Sequence, residues 1–252
     1  KLAGLTWLGN QEPYEGQTIY VLAQSETQYG ATYKAAIDGF DLRGGDQQGF
    51  PNNINQIGGE PTGLPANVVS QGGAVFANAY VQNLQITNNV VQNNGGSYGT
   101  IRIGTPDLPA PDTDQHNYNV RIANNRVVAN AGTNLAGGIG LFAGSNNYEV
   151  AGNDVCGNFS AEYGGGLTVY GLSPGGKIHD NRIYFNRSYD EGGGIMIAGQ
   201  LPANTSTVSP GSGAVDIYNN LIQANLSNDD GGGIRFLMAG NFPMKVYNNM
   251  IV

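Results

Sequence analysis

The stretch Asp216-Ile-Tyr-Asn-Asn-Leu-Ile-Gln-Ala-Asn-Leu-Ser-Asn-Asp-Asp-Gly-Gly-Gly-Ile-Arg-Phe236 decides the fold, because variants of it fill the chain from Asn83 onward. Ile217, Ile222 and Ile234 head three short apolar pieces, each too brief for a helix and rich in β-branched residues. Asn219-Asn220, Asn225 and the triplet Gly231-Gly-Gly233 separate them. These separators are turn residues: Asn tolerates left-handed backbone, and Gly adopts it without a Cβ clash.

The second Asn of each pair falls at Asn89, Asn125, Asn153, Asn181, Asn220 and Asn249, with spacings of 36, 28, 28, 39 and 29 residues. Five residues after each of the first five stands another asparagine: Asn94, Asn130, Asn158, Asn186 and Asn225. Glycines follow at Gly137-Gly138 and in the triplets beginning at Gly164, Gly192 and Gly231. A repeat of about 28 residues with identical side chains at identical offsets is a solenoid signature. In a parallel β-helix the rungs lie roughly 4.8 Å apart, so each Asn amide reaches the Asn above and below it.

Three columns are expected to face the interior. Ile86, Ile122, Val150, Ile178, Ile217 and Val246 form one, and Val91, Val127, Val155, Ile183, Ile222 and Ile251 a second. Ile139, Leu167, Ile195 and Ile234 form the third, and three columns predict three faces. An outward column reads Arg121, Glu149, Lys177, Asp216, Lys245, alternating in sign, and is read as a stabilising ladder of neighbouring-strand charge pairs. Leucine-rich repeats would need Leu at the buried positions and a helix per unit, and a propeller blade about 40 residues and four strands. Neither pattern is present.

The chain of 252 residues is expected to form a single β-helix domain spanning residues 1–252. Residues 1–33 read as an irregular cap or first coil containing one strand at 17–23, and residues 34–252 as coils. Ile37, Phe40 and Leu42 are the apolar positions of the opening coil, residues 47–67 a long excursion, and residues 72–76 the return to the glycine-then-apolar step. Residues 245–252 begin a coil that stops before its glycine step, which predicts further coils or another copy at that end. The 40 glycines are more than twice the usual share of about 7% and lack the collagen period, so they mark repeated turns. A net charge of −8 with 11 Lys and Arg argues against nucleic-acid binding. No apolar run approaches the roughly 18 residues of a membrane span. The single Cys156 forms no internal disulfide.

The coils resemble right-handed, single-stranded parallel β-helix proteins of the pectate-lyase-like superfamily. The closest motif is the repeat of polymorphic outer-membrane-protein-type surface proteins, an aromatic-x-x-Asn with a small residue and then Gly-Gly-x-Ile. Ile183-x-x-Asn186-x-Ser188 before Gly192-Gly-Gly-Ile195 carries it, as do Val155-x-x-Asn158-x-Ser160 before Gly164-Gly-Gly-Leu167 and Ile222-x-x-Asn225-x-Ser227 before Gly231-Gly-Gly-Ile234. Val or Ile stands where that family has Phe. The resemblance covers about two thirds of the chain and implies a secreted or cell-surface protein with an adhesin role. The superfamily's enzymes use calcium-binding Asp clusters with a Lys or Arg base, or clustered Asp with His and Arg-x-Lys. This chain has no Arg-x-Lys and no Gly-His-Gly, and only Arg187 and Arg235 stand among the acids.

Glu162, Asp190, Glu191, Asp229 and Asp230 precede the glycine triplets of three successive coils. Five carboxylates within about two rung spacings could hold Ca²⁺ weakly, or could be solvated turn residues duplicated with the repeat. Insertions at residues 105–117 and 200–213 both follow the strand after the glycine step and should leave one edge as two walls. Phe142 and Tyr170 would then form an outward aromatic floor, with Arg235 nearby, suited to a saccharide; the alternative is an aromatic pair packed under a loop. His179 should lie outward beside Tyr218, and Asp112-Thr-Asp114-Gln-His116 has only weak metal-like spacing. Asn158, Asn186 and Asn225 match a glycosylation pattern but belong to the ladder, which leaves Asn204 as the acceptor. These residues predict a non-catalytic extracellular structural or carbohydrate-contacting module whose partner is a polysaccharide or cell-surface glycan. The alternatives are a polysaccharide lyase or glycoside hydrolase acting on an acidic polysaccharide, and a scaffold that forms filaments through its open ends.

Overall fold

The computed structural model describes residues 17–23, 29–30, 32, 34–45, 73–78, 80–106, 115–202 and 206–252. Its strands form four sheets in which every pairing is parallel and every neighbour comes from the adjacent coil. The chain is a parallel β-helix. Among the described residues no helix is long and apolar enough to cross a membrane.

Within a coil the chain passes through the sheets in a fixed order. Sheet A holds Ile19–Leu22, Val75–Asn78, Ile101–Ile103, Ile139–Phe142, Leu167–Tyr170, Ile195–Ala198 and Ile234–Leu237. Sheet B holds Ala36–Asp38, Gln85–Thr87, Arg121–Ala123, Glu149–Ala151, Gly176–His179, Val215–Tyr218 and Met244–Tyr247. Sheet C holds Asp41–Leu42, Val90–Gln92, Arg126–Val128, Asp154–Cys156, Arg182–Tyr184, Leu221–Gln223 and Met250–Ile251. Sheet D, with five strands, holds Gly95–Tyr98, Ala131–Ala136, Phe159–Ser160, Arg187–Ser188 and Leu226–Ser227. The fourth sheet corrects the expectation of three faces. Its strands carry Gly132, Ser160 and Ser188 at their buried positions, so it has no apolar column to reveal it.

Two asparagine ladders hold the corners. At the B–C corner the backbone N–H and Nδ2 of Asn125 both donate to Asn153 Oδ1, at 2.9 and 3.0 Å, while Nδ2 also donates to Ile86 O at 2.8 Å. The pattern repeats from Asn89 to Asn249. At the C–D corner Asn94, Asn130, Asn158, Asn186 and Asn225 do the same. The residue before each ladder position is left-handed: Asn88, Asn124, Gly152, Asp180, Asn219 and Asn248 at one corner, and Asn93, Ala129, Gly157, Phe185 and Ala224 at the other. That turn aims the following carboxamide along the helix axis. Asn158 and Asn186 are buried, as their place in the ladder requires.

The three apolar columns pack together as the main core. They are buried throughout except at the last rung, where Val246 and Ile251 are 44% and 52% exposed. Phe40, expected among the apolar positions of the first coil, sits exposed at a corner, its N–H donating to Asn89 Oδ1 at 2.9 Å. The D-to-A turn is made by glycine because the coils approach too closely for a side chain. A Cβ at Gly165 would lie 2.5 Å from the carbonyl of Arg187 and 2.6 Å from Gly193 O. The strand expected at 17–23 appears as Ile19–Leu22, paired with Val75–Asn78. Residues 1–16, 24–28, 31 and 33 of the expected cap, the 47–67 excursion, Asp112, Asp114 and Asn204 lie outside the described residues.

Candidate functional site

The turn carboxylates are carried in two parallel rows between sheets D and A. Asp229 N–H donates to Asp190 O at 3.0 Å, and Glu191 N–H to Glu162 O at 3.1 Å, which fixes the rows rung by rung. Burial, and then the charge of Asp229, hold the Asp190 carboxyl above its ordinary range. Arg235 takes up the other row: its Nη2 lies 3.1 Å from Asp230 Oδ2, and its Nε 3.5 Å from Glu191 Oε2. The second contact is a charge contact only, since neither atom finds a hydrogen-bond partner. Among the described residues no three of His, Cys, Asp and Glu come together as a metal site. Glu162, Asp190, Glu191, Asp229 and Asp230 therefore stand in rows rather than as one compact cluster. Stacking strings them along the axis, and a guanidinium already lies between two of them.

Phe142 and Tyr170 point outward from sheet A, as expected, but they are not an open floor. They are 0% and 2% exposed and belong to a second apolar cluster with Tyr98, Leu135, Tyr163, Met196 and Ala198. Tyr98 meets Phe142 edge-on at 5.9 Å, Phe142 meets Tyr170 at 6.5 Å, and Tyr163 lies 6.3 Å from Tyr170. Leu201 N–H donates to Tyr170 Oη at 3.2 Å, so the start of the second insertion lies over the ring. Of the two readings of this pair, an exposed floor and rings packed under a loop, the burial matches the second. Both insertions do run from a sheet A strand to a sheet B strand, on one edge, although residues 107–114 and 203–205 lie outside the described residues.

Farther along sheet A is a feature that the sequence reading missed. Arg102, 3% exposed, places its guanidinium 4.0 Å from the Phe76 ring centre and 4.9 Å from that of Tyr98. Its Nε donates to Gly104 O at 2.9 Å, and Tyr20 stacks on the far side of Phe76 at 5.1 Å. The available signal was the composition of these strands. Ile139–Phe142, Leu167–Tyr170 and Ile195–Ala198 are apolar at nearly every position rather than at alternate ones, the pattern of strands covered on both faces.

The outer face of sheet B stays open and carries two columns. In the first, Arg121 Nε lies 2.8 Å from Glu149 Oε2, and Lys245 Nζ lies 3.8 Å from Asp216 Oδ1. In the second, His179, Tyr218 and Tyr247 stack nearly parallel, with centroids 4.7 and 5.1 Å apart. His179 Nδ1 lies 2.7 Å from Asp180 Oδ2 and Nε2 3.1 Å from Glu149 Oε1. Burial raises the Tyr218 hydroxyl, with Tyr247 and nearby acids adding to the shift. His116, in contrast, stacks on Tyr80 at 5.4 Å and shares a 2.8 Å hydrogen bond with Tyr118. On sheet C, Tyr184 is pushed up to about 12 by burial, then by hydrogen bonding to Asp154 and Cys156.

Fold and surface together define a parallel β-helix with paired asparagine ladders, one outer face covered by aromatic packing and another open and charged. No family model matches the chain, and no curated protein and no solved structure was found to match it.

Proposed function

We propose that the chain is a secreted or cell-surface β-helix module that contacts a polysaccharide or surface glycan without chemical turnover. Its resemblance to polymorphic outer-membrane-protein-type repeats supports that setting. The observation that carries the reading is the outer face of sheet B, where Lys177, Asp216 and Lys245 run beside the His179–Tyr218–Tyr247 stack in strand register. Alternating charges at rung spacing offer donors and acceptors to successive sugar hydroxyls, and the phenol edges add apolar contact with polar tips. This reading sets the saccharide surface on that open face in place of Phe142 and Tyr170, which are buried. A glycan array, with each hit retested on Tyr247→Ala and Lys177→Ala, tests the reading. Binding weakened by both variants with little change in melting temperature supports it. An array without hits, or hits indifferent to both variants, overturns it.

A second reading, a hydrolase or lyase acting on an acidic polysaccharide, is favoured by one observation: Asp190 has a raised pKa beside Asp229. Product release from such a polymer, lost in Asp190→Asn, would replace the first reading with this one.

A further inference from the structure

The corner between sheets C and D carries a side chain that the fold does not require. Each coil turns there through one left-handed residue, and Asn93, Ala129, Gly157 and Ala224 hold that place in four coils. In the coil between Gly157 and Ala224 it is held by Phe185, with a φ of 55°. A β-carbon disfavours this backbone, which asparagine and glycine tolerate best. Burial of the ring could offset the strain, yet Phe185 is 63% exposed and meets Tyr184 only edge-on, at 5.5 Å. The following coil pairs with both flanking strands, Arg182–Tyr184 and Arg187–Ser188, so the exposure belongs to the corner itself.

Two further rings face outward beside it. Tyr189 is 58% exposed just past strand Arg187–Ser188, and half-buried Phe159 stands next to Arg187 in strand register. Cations flank the rings. Arg182 and Arg187 stand on either side of Phe185 in the chain, and Arg126 lies two rungs before Arg182 in the same outward column. Elsewhere Arg43 lies against Asp41, Arg121 against Glu149, Arg235 against Asp230 and Lys245 against Asp216. Arg126, Arg182 and Arg187, all exposed, form no ion pair among the described residues. Asp154, in register between the first two, is hydrogen-bonded to the Tyr184 hydroxyl, and Asp190 belongs to the acid rows of the D-to-A turn. A chain of net charge −8 thus keeps unpaired cations beside its exposed rings.

We propose that this corner is a membrane-contacting edge: Phe185 and Tyr189 enter the interfacial layer of an anionic lipid bilayer, and Arg126, Arg182 and Arg187 lie against its headgroups. Two features select a bilayer over a folded partner. Phe185 projects from a convex corner, where a protein partner of ordinary interface size would need a matching concave surface and a fluid bilayer would not. Aromatic rings with arginines alongside partition to headgroup level, and anionic headgroups supply the counter-charges that the chain itself does not. The proposal is independent of the glycan surface on sheet B.

Co-sedimentation of the full chain with vesicles of phosphatidylcholine alone, and of phosphatidylcholine with an equal share of phosphatidylglycerol, tests it. Binding to the anionic vesicles should be at least about tenfold stronger than to the neutral ones. Phe185→Asn should weaken that binding at least about fivefold while leaving the denaturant midpoint equal or higher, because asparagine already holds the same corner at Asn93. Arg182→Gln/Arg187→Gln should remove most of the preference for anionic vesicles at an unchanged midpoint. Absence of sedimentation with either vesicle, sedimentation indifferent to Phe185→Asn, or a lower midpoint in that variant would overturn the proposal. So would release of the protein by soluble glycerophosphoglycerol, because a discrete anion site and not a bilayer surface would then hold it.

Discussion

Each ladder asparagine satisfies groups that would otherwise be buried without partners. Asn153 donates its backbone N–H and Nδ2 to Asn181 Oδ1, donates Nδ2 also to Ile122 O, and accepts two bonds from Asn125. Asn153→Ala removes the carboxamide and strands donors on both sides, so unfolding should show a loss of about 3 kcal/mol or more. Asn249→Ala, half-exposed at the last rung, should lose about 1 kcal/mol. The left-handed corner gives a prediction of opposite sign. Ala129 has a φ of 54°, a position that Gly157 fills one coil later with open space around its Cβ direction. Ala129→Gly should stabilise the fold by up to about 1 kcal/mol, and Gly157→Ala should cost a similar amount, both read from denaturant midpoints. Asp190 is a pH-dependent residue. Its raised folded pKa means that the folded state binds the proton more tightly than the unfolded chain does. The ionised form is therefore a burden at neutral pH that lifts as pH falls through the folded value. Asp190→Asn should raise the melting temperature at pH 7, and its advantage should shrink on acidification.

At the scale of strands and turns, the glycine step and the aromatic cover set the limits. Gly165→Ala would drive a Cβ into the backbone of two neighbouring segments, and a loss of about 3 kcal/mol or failure to fold is expected. Phe142→Ala should cost about 3–5 kcal/mol, the range of a buried aromatic, and should leave any glycan affinity unchanged. Asn spacing was readable in the sequence because like side chains must stack on like, so chemistry and period coincide. The outward direction of Phe142 and Tyr170 was readable for the same reason. The sequence left open whether they were exposed or packed under a loop, because the residues that decide it, Tyr98, Leu135, Tyr163 and Leu201, reach them from sheet D, its turns and an insertion. Sheet D itself escaped notice because buried Ser160 and Ser188 face inward, and serine carries no hydrophobic period.

For the whole molecule, stacking replaces convergence. A fold in which each coil repeats the last arranges acids, bases and rings in rows along its axis. It pairs Arg121 with Glu149 and stacks His179 on Tyr218, yet leaves the five turn carboxylates strung along the axis. Melting midpoints in Ca²⁺ and in chelator decide between the two readings of these acids: a rise with Ca²⁺ shows that the rows close around the ion, and coincident midpoints leave them as solvated turn residues. The paired ladders are the central claim, and scalar couplings across hydrogen bonds measure them directly. NMR of labelled protein should show couplings from the amide nitrogens of Asn125, Asn153 and Asn158 to the side-chain Cγ of Asn153, Asn181 and Asn186, respectively. Amides of these residues that couple only to backbone carbonyls, with no cross-peak to the asparagine one coil on, would contradict the stacked β-helix.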